Sequence, residues 1–177
     1  MSTNNDILRL NVGFIVHETV GYSRVFELDS PSIHLHPDLD LVNLLGEVKV
    51  TRTAKGLLLQ AEISASVSAE CSRCLNDFLL PLTINFTELY AFSPNSTDES
   101  GLILPENGKI DLEPLIREEM LLAIPISPIC QPDCKGLCPI CGENLNEGSH
   151  KIHQEEAIDP RLSILKDLID EDTNPQA

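Results

Sequence analysis

Apolar residues recur at every second position from Leu57 through Leu59, Ala61, Ile63, Ala65 and Val67 to Ala69. Leu58, Gln60, Glu62, Ser64, Ser66, Ser68 and Glu70 fill the positions between them. Period two over such a length predicts a strand with one face in a core and the other in water. Phe78, Leu80, Leu82, Ile84 and Phe86 resume the pattern after a short break. Upstream, Val42, Leu44, Gly46, Val48 and Val50 alternate in the same way, and so, more briefly, do Leu10, Val12, Phe14 and Val16. The first half of the chain therefore predicts antiparallel sheet. Ala54-Lys55-Gly56 offers a hairpin turn. Pro81 argues for an edge strand or a bulge, because it cannot donate to a sheet ladder.

The periodicity then changes. Residues 93–109 are polar and rich in breakers, the signature of a loop. Asp111 reads as an N-cap, followed by Leu112, Leu115, Ile116, Met120 and Ala123 on one helical face that ends before Pro125. That stripe is expected to pack on the sheet. Residues 126–153 carry Cys, Pro and Gly with little periodicity. Asp159-Pro160 then supplies the N-cap and first turn of a last helix bearing Leu162, Leu165, Leu168 and Ile169. The expected class is α+β: a mainly antiparallel sheet, with barrel-like closure among its options, two helices and a C-terminal zinc-knuckle segment. A β-rich body over 1–125 and a Cys/His segment over 126–177 are expected to share one compact domain.

Composition narrows the functions. The chain has 177 residues, 42% of them hydrophobic, which is enough for a core; with 4% aromatics and no Trp, that core should be aliphatic. Twelve Lys and Arg against 28 Asp and Glu give a net charge of −16. An acidic protein of this kind is poorly suited to gripping a phosphate backbone alone, since that grip uses clustered Lys and Arg. It suits a basic partner, or simply stays dissolved. The start lacks a basic n-region and solid apolar block, so no signal peptide is expected. Met120 to Ile129, the longest apolar run, is interrupted by Pro125 and Pro128, so no membrane span is expected either. Cytoplasmic residence follows, where thiols stay reduced and cysteine clusters more often hold metal than form disulfides.

Those clusters carry the candidate chemistry. Cys71-Ser-Arg-Cys74 falls in the break between the last two strands and should cap a hairpin tip. Cys130-Gln-Pro-Asp-Cys134 and Cys138-Pro-Ile-Cys141-Gly142 follow the first helix. Each Cys-x-x-Cys turn puts two thiolates on one side of a tight loop, and two such elements complete a tetrahedron around Zn2+. Three exceed one site. Chain entropy does not choose the pairing, since joining Cys74 to Cys130 or to Cys138 differs by only about 0.1 kcal/mol. Ligand counting favours two structural zincs. Cys138 and Cys141 followed by His150 and His153 would form one set, and Cys71, Cys74, Cys130 and Cys134 the other. A single site of Cys71, Cys74, Cys138 and Cys141 is the alternative. Arg73 and Lys135 could offset the negative charge of such sites. His17, His34 and His36 read as ordinary strand or turn residues.

Cys71-x-Arg-Cys74-Leu, Ile110-Asp-Leu, Leu121-Leu-Ala-Ile-Pro, the block from Cys134 to Asn146, and Asp159-Pro-Arg161 together resemble the bacterial YceD family. The resemblance spans roughly residues 40–170. It implies a role in accumulation of large-subunit (23S) ribosomal RNA, and it implies Cys71, Cys74, Cys130 and Cys134 as the common site, with Cys138 and Cys141 in an added one. His150-Lys-Ile-His153 stands where many members carry Cys-x-Cys, which keeps the ligand chemistry but alters the spacing. The expected protein is a zinc-stabilised, non-enzymatic factor that meets 23S rRNA through a basic ribosomal or assembly protein. A redox- or zinc-responsive regulator, releasing metal on thiolate oxidation, is the competing reading. An enzyme is disfavoured because no His-Glu-x-x-His, Ser-His-Asp or phosphate loop is present.

Overall fold

A computed structural model of the chain describes residues 4–94 and 101–148. Four long strands form one antiparallel meander: β2 (Ser23–Leu35), β3 (Leu39–Arg52), β4 (Gly56–Glu70) and β5 (Asp77–Ala91), in that spatial order. Two short strands, β1 (Arg9–Asn11) and β6 (Lys109–Asp111), pair separately. The 3-10 turns Asn4–Leu8 and Gly13–His17 flank β1, and one helix, α1 (Glu113–Ala123), follows β6. The four-stranded sheet is open, with β2 and β5 as its edges, so the barrel-like closure is not found.

Alternation sets the register. Leu57, Leu59, Ala61, Ile63, Ala65 and Val67 of β4 are buried, as are Leu82, Ile84 and Phe86 of β5, while Gln60, Glu62 and Ser64 face water. The turn before β4 is the expected one: the Thr53 hydroxyl donates to Gly56 O at 2.8 Å and accepts the Gly56 N–H at 3.1 Å. Gly56 admits no side chain, because a Cβ there would collide with the Tyr90 carbonyl. Pro81 lies on edge strand β5, where a missing N–H is harmless.

In two places the sequence pattern and the structure part. Leu41 and Leu44 are both fully buried although three residues apart, with a register shift between Val42 and Leu45 and Asn43 at a φ of 53°. The inward phase jumps there, so Val42 is only half-buried rather than aligned with Leu44. The 10–16 segment is not one strand. It turns into a 3-10 helix at Gly13, burying Leu10, Val12 and Ile15 and leaving Phe14 46% exposed. Val12 N–H bonds to Gly108 O at 2.8 Å, so the chain here is pinned to the β6 approach and not to a sheet neighbour.

Leu8, Leu10, Val12, Ile15, Ile110, Leu112, Ile116 and Met120 join the inward residues of the sheet in one core cluster. Helix α1 begins one residue later than the Asp111 cap implied. Asp111 ends β6, yet its carboxylate still accepts the Glu113 N–H at 3.0 Å. The helix stops at Ile124, whose extended ψ of 120° is what a residue before proline prefers. Within 101–109, Leu102 and Leu104 pack on the core, so this part of the expected polar loop is anchored. The expected terminal helix from Asp159, with His150 and His153, lies outside the described residues.

Candidate metal centre

The β4–β5 hairpin ends in the turn that carries Cys71 and Cys74. Cys71 N–H bonds to Asn76 O at 2.9 Å and Leu75 N–H bonds to Cys71 O at 2.9 Å, closing a loop that turns both thiols to one side. Leu75 pays for that curl with a φ of 59°, rare for a residue with a branched side chain. The stretch after α1 then docks on this tip. Ser72 N–H donates to Pro128 O at 2.8 Å, and Cys130 N–H points at Cys71 Sγ at 3.4 Å. Cys134 N–H closes on Gln131 O at 3.1 Å and brings in the fourth thiol.

The four sulfurs of Cys71, Cys74, Cys130 and Cys134 all lie within 4.8 Å of one another and could hold a metal ion. Cys71 and Cys134 stand 3.8 Å apart, and Cys74 and Cys130 3.7 Å. None of the six cysteines forms a disulfide. Phe78 and Ile129 pack against the cluster, and three of its thiols are buried, Cys130 being the half-exposed one.

Electrostatics divides the thiols. The Cys74 N–H, working against burial and helped by the Cys130 and Arg73 amides, brings the Cys71 thiol down to about 6. Burial first, and then the neighbouring thiols, push Cys130 up to about 12. At Cys74 the Asn76 N–H pulls downward, but burial and the thiols of Cys71 and Cys134 outweigh it and the group rises. One thiolate thus forms readily, while burial and repulsion from neighbouring thiols oppose ionisation of Cys74 and Cys130. A cation among the sulfurs reverses that repulsion.

Cys138 and Cys141 do not join this group. Their turn curls on its own: Cys138 N–H bonds to Glu143 O at 2.8 Å, Gly142 N–H to Cys138 O at 2.9 Å, and Ile140 N–H approaches Cys138 Sγ at 3.4 Å. Gly142 has a φ of 74°, accessible to glycine without strain. The Cys141 thiol is raised: the Glu143 N–H lowers it, but burial and Cys138 together prevail. Arg73 links this turn to the first cluster: its carbonyl accepts the Leu137 N–H at 3.1 Å, while its Nη1 donates within the cluster to Cys134 O at 2.9 Å.

Sequence reasoning missed Asn146. Its Nδ2 lies 3.4 Å from Cys134 Sγ and its Oδ1 accepts the Lys135 N–H at 2.9 Å. The available signal was a short polar residue closing the Gly-Glu-Asn-Leu-Asn run after the last cysteine pair. His34 and His36 are engaged locally, His34 Nδ1 with Asp40 at 2.7 Å and His36 Nδ1 with Glu113 at 3.2 Å. Among the described residues, no helix is long and apolar enough to cross a membrane.

Comparison with known proteins agrees with the motifs. The family model for large ribosomal RNA subunit accumulation protein YceD matches residues 59–169. An uncharacterized protein of Mycobacterium tuberculosis is 34% identical over 162 residues, covering 88% of this chain and 74% of the relative. The uncharacterized Bacillus subtilis protein YlbN is 28% identical over 161 residues, covering 90% of each chain. The chloroplastic large ribosomal RNA subunit accumulation protein YCED homolog 1 of Zea mays is 26% identical over 157 residues, covering 70% of this chain and 54% of that one. No solved structure matches. The chain belongs to the YceD family.

Proposed function

We propose that this member of the YceD family is a zinc-stabilised, non-enzymatic factor supporting accumulation of 23S rRNA during large-subunit assembly, acting in the cytoplasm through a basic protein partner. The spacing of the sulfurs carries the metal part of this reading. A tetrahedron with Zn–S bonds of about 2.3 Å has edges of about 3.8 Å. The two sulfur pairs stand at 3.8 and 3.7 Å. A disulfide would need about 2.05 Å. Soft thiolates select zinc over magnesium or calcium, which prefer oxygen. Cys71, Cys74, Cys130 and Cys134 would hold the ion, which supplies a cross-link between the hairpin tip and the segment after α1. Four protein sulfurs leave no position for substrate, so the role is structural. Cys138 and Cys141, with His150 and His153, form the second zinc site of this proposal, supported by the Ile140 N–H directed at Cys138 Sγ.

The ribosomal part rests on the family's name, and the partner on charge. With 28 acidic and 12 basic residues, the chain repels phosphate and attracts a Lys- and Arg-rich surface. Comparing 23S with 16S rRNA levels in a strain lacking the gene tests the role: 23S should fall selectively, and return with wild type but not with Cys74→Ser/Cys134→Ser. Unchanged 23S would remove the reading. Filter binding of the purified protein to 23S fragments should be weak at moderate salt, and tight binding without a partner would overturn the indirect route.

A further inference from the structure

A relay of side chains lies behind Cys134. Glu147 Oε1, which only accepts, lies 3.4 Å from Asn144 Nδ2. That contact turns Asn144 Oδ1 toward Asn146, where it accepts from Nδ2 at 2.7 Å and from the backbone N–H at 3.0 Å. The Lys135 N–H, which only donates, takes Asn146 Oδ1 at 2.9 Å. Both ends of the Asn146 carboxamide are thereby assigned, and its Nδ2 must face Cys134 Sγ, at 3.4 Å. Cys134 is 3% exposed.

The strand-like pairing around this relay depends on the second cysteine turn. Leu137 bridges Asn144, Leu145 N–H bonds to Gly136 O at 2.9 Å, and Cys138 N–H to Glu143 O at 2.8 Å. Gly136 passes so near Arg73 that a Cβ would sit 3.0 Å from its carbonyl oxygen. Residues 143–147 are therefore held by the Cys138 turn and deliver one N–H to a sulfur of the other cluster.

We propose that Asn146 is a positioning residue of the four-thiolate site, fixing the Cys134 sulfur through an N–H···S bond and thereby coupling that site to the fold of the Cys138–Gly142 turn. This rests on the reading of Cys71, Cys74, Cys130 and Cys134 as metal ligands. Four thiolates on a divalent ion leave net negative charge, which an N–H donor offsets, and such outer partners typically change metal affinity by roughly 10–100-fold.

The test uses the full chain loaded with Co2+, whose sulfur-to-cobalt charge-transfer band reports an all-thiolate site directly. Asn146→Asp keeps an oxygen for the Lys135 N–H but has no N–H for the sulfur; Asn146→Ala keeps neither. Both should release cobalt to a chelator roughly 10–100-fold faster than wild type, with a shifted charge-transfer band. Asn144→Ala, which frees the carboxamide to turn and removes an acceptor of the Asn146 backbone N–H but leaves the Nδ2 donor in place, should fall between them and wild type. Wild-type release and spectrum in Asn146→Asp, with loss in Asn146→Ala, would assign the carboxamide to the backbone alone and overturn the proposal. So would wild-type behaviour in both. A wild type lacking the all-thiolate band would instead end the metal reading itself, and this proposal with it.

Discussion

Strand after strand of the sheet turns alternate residues into one core, and Leu41, Leu44, Leu57, Leu59 and Ile63 are fully buried there. Between Ile126 and Gly148 only Cys134, Gly136 and Cys138 are buried, and Ile126 stands wholly in solvent. The sheet is held by area removed from water, at about 25 cal/mol per Å². The cysteine segment has almost no such area. It is held by backbone bonds onto the hairpin tip and, in the proposed reading, by a metal among the sulfurs. One chain thus uses two kinds of cohesion, and removing either should leave a different remainder.

Stripping the metal from the loaded protein should give the largest effect, because structural zinc contributes roughly 10–16 kcal/mol in small peptides. The amides of Ser72, Cys130 and Leu137, bonded across the two elements, should lose hydrogen-exchange protection. The β2–β3 ladder from Ser23↔Thr51 to Leu35↔Leu39 should keep its own. Exchange measured with and without chelator decides this. Collapse of the whole sheet would show that the two regions share one cooperative unit.

Ile63→Ala breaks the other side of the comparison. Ile63 is fully buried in β4, paired with Gly46 on one side and Ile84 on the other. Truncation should cost about 2–5 kcal/mol in urea unfolding. Metal content per folded molecule should not change, because the sulfurs sit at the far end of the hairpin. A variant that folds but loses metal would contradict the separation.

The same contrast explains what could be read from the sequence. Alternation was legible in β4 and β5 because burial of one face fixes every second side chain. It misled over 10–16, where Leu10, Val12 and Ile15 reach the core through a 3-10 turn that Val12 N–H to Gly108 O stabilises. The shift at Asn43 has no marker of its own, because Val42 and Leu44 are equally apolar. In the cysteine segment the ligand types were plain but their partners were not. Loop closure costs nearly the same for Cys130 as for Cys138, and a backbone contact, Ser72 N–H to Pro128 O, decides which pair arrives. Asn146 was hidden because its role depends on a fold that local periodicity does not encode.

A third prediction concerns the tie between sheet and helix. Glu113 accepts the His36 backbone N–H at 2.8 Å and lies 3.2 Å from its ring, joining the β2–β3 turn to the start of α1. The His36 amide, against some burial, holds the Glu113 carboxyl below its usual range. Its folded value is the lower one, so its stabilisation is present above about pH 4.3 and lost as the pH falls through the folded value. Glu113→Gln should cost about 1 kcal/mol at pH 7, and that difference from wild type should shrink as the pH is lowered through the acid range. Urea midpoints at pH 7 and at successively lower pH measure it. A difference independent of pH would mean that the carboxylate charge is not what binds the turn.

The smallest effect lies on the water-facing side of the sheet. Register sets Glu27 opposite Glu47, and Glu47 opposite Glu62, so three exposed carboxylates cross β2, β3 and β4 in one row. Like charges directly opposed weaken a sheet, whereas a β-branched residue there suits the pleat. Glu47→Thr should therefore stabilise the protein by about 0.2–1 kcal/mol, more at low salt than at high. A chain that keeps this row forgoes stability that one substitution would recover. A basic partner of the kind proposed, if it docks on this row, would relieve that repulsion. Glu47→Thr should then raise the urea midpoint while weakening capture of a Lys-rich ribosomal protein in a low-salt binding assay. Stabilisation with unchanged capture would place the partner's contact elsewhere on the molecule.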